Sequence, residues 1–102
     1  MVSAAVKRNQ QGRIIAFVVT SHCESRVCAA VSLLVTNTIN SIEEFTDEPF
    51  SCEINSDVGG FVKFSLIEDS PLDDANLLLE SMFLGLKAVQ LKHEEEIELF
   101  YD

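Results

Sequence analysis

Residues 14–32 read Ile-Ile-Ala-Phe-Val-Val-Thr-Ser-His-Cys-Glu-Ser-Arg-Val-Cys-Ala-Ala-Val-Ser. The opening run, Ile14 to Val19, is short, apolar and rich in β-branched residues, which suits a strand. Beyond it, Val27, Val31, Leu34, Thr38, Ile42 and Phe45 recur with a helical period and predict a helix from about Val27 to Phe45. His22 therefore sits where a strand ends, and Cys28 sits in the first turn of a helix. Backbone N–H groups of a first helical turn have no intrahelical acceptor, and the helix dipole adds partial positive charge there. Both effects favour thiolate over thiol, and thiolate is the nucleophile. A tight loop between the strand and the helix can bring the His22 imidazole back beside the sulfur. Ser32 lies one turn after Cys28 on the same helix face. Two readings are open at this point: Cys28 as a buried small hydrophobe with His22 a loop histidine bonded to backbone, or Cys28 as a nucleophile with His22 as its base.

Outward from this stretch, Val2, Ala4 and Val6 alternate with Ser3, Ala5 and Lys7 as a first strand. Asn9-Gln10-Gln11-Gly12 is a turn, so the first two strands form a hairpin. The second strand is apolar on both faces, which predicts a central position or a second face covered by a partner. Pro49 ends the connection after the first helix. Phe50, Cys52 and Ile54 alternate with Ser51, Glu53 and Asn55, and Cys52 is expected in the core. Asp57-Val58-Gly59-Gly60 is a turn signal, and Phe61 to Ile67 returns as the next strand. Ser70-Pro71-Leu72-Asp73 has the cap, proline and acid of a helix start, and that second helix runs to about Leu91.

Along the second helix, Leu78, Met82, Leu86 and Val89 form a stripe assigned to the core. Leu77, Leu84 and Leu91 form another at seven-residue spacing, available to a subunit. Gly85 is costly inside a helix, so close packing is expected there. His93 is a surface residue after the helix, and Ile97, Leu99 and Tyr101 belong to a last strand. The order ββαββαβ predicts an α+β fold: one mixed or antiparallel sheet, with two helices packed on one face. Residues 1–102 are read as a single domain, without repeats or linkers.

The chain carries 17 acidic against 7 basic residues, a net charge of −10. Nucleic-acid binding needs clustered Lys and Arg, so nucleic acid is not an expected partner. A basic protein is a better one, because opposite charge raises encounter rates. No run is long and apolar enough for a membrane helix, and the N-terminus lacks a secretory pattern, so a cytoplasmic protein without membrane attachment is expected. Three cysteines argue against a disulfide framework and are expected as free thiols in a reducing compartment, although Cys23 is placed to oxidise onto Cys28. His22, Cys23 and Cys28 lack the paired spacing of structural zinc sites, and neither metal nor cofactor is expected.

Cys28-Ala29-Ala30-Val31-Ser32, opening a helix after the strand-end His22, resembles the signature of the ribosomal-processing cysteine protease Prp family. The resemblance extends along the whole chain in the order and length of its elements. It implies a cytoplasmic thiol protease, active as a homodimer. The implied activity removes an N-terminal extension from the large-subunit ribosomal protein L27, with His22 and Cys28 catalytic and Ser32 in the active site. Ser21 stands where the family usually has Gly, and Ser25 where it often has an acid three positions before the Cys. Both flank the catalytic loop as supporting positions. The loop from Ser21 to Arg26, polar and without a large apolar anchor, is expected to move around an incoming peptide. The alternative is a dimeric domain with a decayed catalytic loop that binds a ribosomal protein or peptide without cleaving it.

Overall fold

The computed structural model describes residues 1–21, 26–55, 60–67 and 74–101. Its elements are β1 (Val2–Arg8), β2 (Ile14–Ser21), α1 (Arg26–Phe45), β3 (Phe50–Asn55), β4 (Phe61–Leu66), α2 (Asp74–Lys92) and β5 (Ile97–Tyr101). The order ββαββαβ and the α+β class are those the sequence predicts. The five strands form one open sheet in the order β3-β4-β2-β1-β5. All neighbours are antiparallel except β1 and β5, which run parallel, so the sheet is mixed. β2 is the middle strand, as expected, but the helices cover only one of its faces and Ala16 and Val18 line the other, open one.

Alternation divides the sheet. Val2, Ala4 and Val6 of β1, Phe17 and Val19 of β2, Phe64 of β4 and Ile97 of β5 are buried on one face. Val27, Val31, Val35 and Ile42 from α1, with Leu79, Met82, Phe83 and Leu86 from α2, complete that core. Both helices therefore cover the same face. Phe17, Phe64 and Phe50 stack across β2, β4 and β3 with successive ring centroids 5.0 Å apart. On the opposite face, Ala5, Ala16, Val18, Ser65 and Phe100 line a shallow groove of about 830 Å³.

The helices approach closely where α2 carries Gly85. A Cβ at that position would lie 2.9 Å from a methyl of Leu34 on α1, which is the close packing the mid-helix glycine predicts. Leu78 and Val89 are partly buried against the core beside buried Met82 and Leu86. Leu77, Leu84 and Leu91 point outward and are largely exposed. At the end of α1, where acids crowd, the Thr46 hydroxyl donates to the Ile42 carbonyl at 2.7 Å and accepts from the Glu48 N–H at 3.2 Å. Side-chain hydrogen bonding thus supplies the C-terminal partner that no basic residue of the last turn supplies.

Two expectations are corrected. Cys52 is exposed rather than core, because β3 is an edge strand and only Phe50, at its start, joins the aromatic stack. Alternation shows that a strand has two faces, but not that anything covers one of them. Cys28, expected as a free thiol, is disulfide-bonded, while Cys52 is free. The turn at Asp57–Gly59 and the helix start at Ser70–Asp73 lie outside the described residues, and α2 is followed from Asp74.

Candidate active site

The site is organised by two element ends. β2 finishes at Ser21 and α1 begins at Arg26. His22, Cys23 and Ser25 fall between them, outside the described residues. Cys28 occupies the third residue of α1 and is 8% exposed. Val27 and Val31 on the same helix are buried in the core, so packing holds the first turn of α1 against the sheet. That turn carries no acidic residue to compete for its N–H groups. In the disulfide-bonded state seen here the Cys28 sulfur is capped, and attack on a carbonyl requires prior reduction.

One turn along α1, an apolar groove of about 190 Å³ opens between the helix and the β3–β4 hairpin. Val31, Ser32 and Val35 form its helix side, with Ile54, Phe61 and Val62 opposite. Ser21 and Gly60 also line it, where β2 stops and β4 begins. The structure thus brings Ser21 and Ser32, both singled out from sequence, to one groove beside the helix turn that carries Cys28. A peptide lying across the start of α1 can place an apolar side chain here while the backbone N–H groups of the first turn face its carbonyl.

Ser21 is held tightly. Its N–H donates to the Gly60 carbonyl at 3.0 Å. A Cβ built on Gly60 would lie 2.6 Å from the Ser21 hydroxyl oxygen, and Gly60 has φ of 103°. The left-handed backbone favours glycine, and a Cβ there would require the Ser21 hydroxyl to turn aside. Sequence reasoning read Gly60 only as part of a turn. It missed Gly60, Ile54, Phe61 and Val62 as site residues, because they reach the groove through strand pairing and nothing local marks them.

The remaining candidates stand apart. Cys52 lies on the exposed edge strand, where partial desolvation pushes its thiol pKa up, away from the reactive thiolate. His93 is on the surface after α2, with Nδ1 3.2 Å from a Glu96 carboxylate oxygen. Among the described residues, no group of His, Cys, Asp and Glu is arranged to hold a metal. No helix among them is long and apolar enough to cross a membrane.

The chain is 24% identical to the ribosomal processing cysteine protease Prp of Staphylococcus aureus, with 99% of both chains covered. It is similar in structure to an essential ribosomal processing protease Prp from Staphylococcus aureus, solved with a covalently linked product peptide. The TM-score is 0.88 at 25% identity, and all of both chains is covered. A solved protein from Streptococcus mutans is 28% identical with a TM-score of 0.87, covering 99% of this chain and 93% of the other. The family model for the cysteine protease Prp matches residues 1–98, from β1 through α2 to the start of β5, and this chain belongs to the cysteine protease Prp family.

Proposed function

We propose that this protein is a cysteine endopeptidase that removes an N-terminal extension from the large-subunit ribosomal protein L27 in the cytoplasm. The observation that carries this reading is Cys28 at the start of α1, one turn before an apolar groove, in a chain of this family. Reduced Cys28 attacks the scissile carbonyl. His22 takes the thiol proton, or pairs with the thiolate, and then protonates the leaving amine. Backbone N–H groups of the first α1 turn stabilise the oxyanion. Ser32 and Ser21 border the groove that takes the substrate, and Ser25 lies between His22 and Cys28 in the sequence. The net charge of −10 favours encounter with a basic ribosomal protein, and the active form is a homodimer.

The test uses the reduced full chain and a peptide spanning the extension and its junction, with products read by mass spectrometry. Cleavage at one bond is expected, lost in Cys28→Ala and His22→Ala and largely kept in Cys23→Ser. Equal loss in Cys28→Ala and Cys23→Ser removes the nucleophile assignment. Binding of the peptide by reduced wild type without cleavage supports the alternative, a domain that holds a ribosomal peptide but no longer cuts it.

A further inference from the structure

We infer that Ile54 is a specificity-determining residue for the cleavage, the outer wall of a subsite that takes one large apolar side chain of the peptide about two residues from the bond that is cut. The inference rests on the protease reading above. Edge strands are normally short, charged or covered. Ile54 lies on edge strand β3 and is nevertheless 68% exposed. It pairs with Val62 of β4, and Val62 pairs with Val19 of β2. Residues directly opposite each other on antiparallel strands share a face. Val19, Val62 and Ile54 therefore form one apolar row across the sheet, on the face that carries the helices. Val19 is buried, Val62 is partly buried against the core, and Ile54 is open.

Val31 and Val35 of α1, both buried, line the same groove as this row. The groove of about 190 Å³ is thus an outer continuation of the core, where the sheet row goes on and the helix cover stops. Its volume suits one side chain, not a helix or a further strand. Ser32 and Thr36 add hydroxyls on the α1 side, so apolar walls carry a few polar groups, as in small-ligand sites. Its distance from the nucleophile fixes which part of the peptide it reads. Ser32 stands four residues after Cys28, roughly 6 Å along the helix at about 1.5 Å per residue. An extended peptide advances about 3.3 Å per residue, so one whose scissile carbonyl lies at Cys28 presents to the groove a side chain about two residues away. A large apolar side chain there leaves water and covers Ile54. A small one leaves Ile54 exposed, and a charged one finds no opposite charge among the lining residues.

The test pairs a protein variant with peptide variants. Alanine replaces in turn each of the three residues on either side of the cut, and every peptide is assayed with reduced wild type and reduced Ile54→Ala. One apolar position, about two residues from the cut, is expected to couple to residue 54. Ile54→Ala should lower kcat/KM by about tenfold on the parent peptide and by less than about twofold on the peptide with alanine at that position, so the two losses do not add. Ile54 is largely exposed, so its truncation leaves the fold in place, and a thermal melt checks this. An equal loss on every peptide, or no loss on the parent, overturns the inference. The same cycle is read as the Kd of each peptide for Cys28→Ala and for Cys28→Ala with Ile54→Ala, by fluorescence anisotropy. Coupling in Kd without cleavage by wild type rejects the protease reading and leaves the subsite standing. Cleavage by wild type without coupling does the reverse.

Discussion

Cys28 and Cys52 have the same side chain in opposite settings, and the difference is physical. Cys28 sits at the first turn of a long helix, where N–H groups without an intrahelical acceptor and the dipole favour the thiolate. Cys52 sits on an edge strand, and partial desolvation pushes its pKa up. Because Cys28 is disulfide-bonded here, protease activity should be absent without reductant and appear on adding dithiothreitol. After reduction and at neutral pH, iodoacetamide should label Cys28 before Cys52, read by peptide mapping against time. Labelling of Cys52 first would mean that the helix start does not activate Cys28. The motif residues were legible in the sequence because their spacing and their place between two periodic segments are local properties. Their contacts were not: the Ser21–Gly60 approach joins residues far apart in the chain through strand pairing.

At the scale of elements, the hairpin β1–β2 is anchored to α2 by one ion pair. The Arg8 guanidinium donates to both Glu80 carboxylate oxygens at 2.8 Å, donates to the Gly12 carbonyl at 2.7 Å, and lies over the Phe83 ring at 5.4 Å. The hydrogen bonds from Arg8, helped by its charge, hold the Glu80 carboxyl below the usual range, and Arg8 is raised in return. A carboxylate with a depressed folded-state pKa adds stability above its unfolded value, near pH 4.3 for Glu. That stability is lost as pH falls through the lower folded value. Glu80 is 41% exposed, so solvent screening limits the pair to about 0.5–1 kcal/mol. Glu80→Gln should therefore lower stability by about that amount at pH 7 and by less in acid, once the carboxyl is protonated in the folded state, as read by urea denaturation under both conditions. An equal loss at both would assign the effect to packing instead of charge. The helix and strand boundaries were legible from periodicity, and so was the tight helix contact at Gly85. The Arg8–Glu80 anchor was not, since nothing in either segment names the other.

At the scale of the molecule, two apolar surfaces are left uncovered by the described residues. One is the open sheet face around Ala5, Ala16, Val18 and Phe100. The other is the α2 stripe of Leu77, Leu84 and Leu91, each more than 60% exposed. A subunit burying either gains from apolar area, at about 25 cal/mol per Å² removed from water, while the net charge of −10 opposes association. Sedimentation should give a dimer at micromolar concentration that is strengthened, not dissociated, by added salt, because salt screens the repulsion and leaves the apolar contact. Val18→Glu and Leu84→Glu each burden one face, and the variant that becomes monomeric identifies the interface. A monomeric wild type would end the proposal.

By itself the sequence determined the element order, the α+β class, the central character of β2, the family motif and the placement of Cys28 at a helix start. Each depends on periodicity or spacing within a few residues, and local sterics and hydrogen bonding act at that range. The tertiary structure alone decided that β5 pairs parallel with β1, that β3 lies at the edge and leaves Cys52 exposed, and that Gly60 closes on Ser21. Those outcomes are set by which distant segments together bury the most apolar surface with their backbone groups paired. Strand alternation offers each segment two faces but does not say which neighbour will cover them.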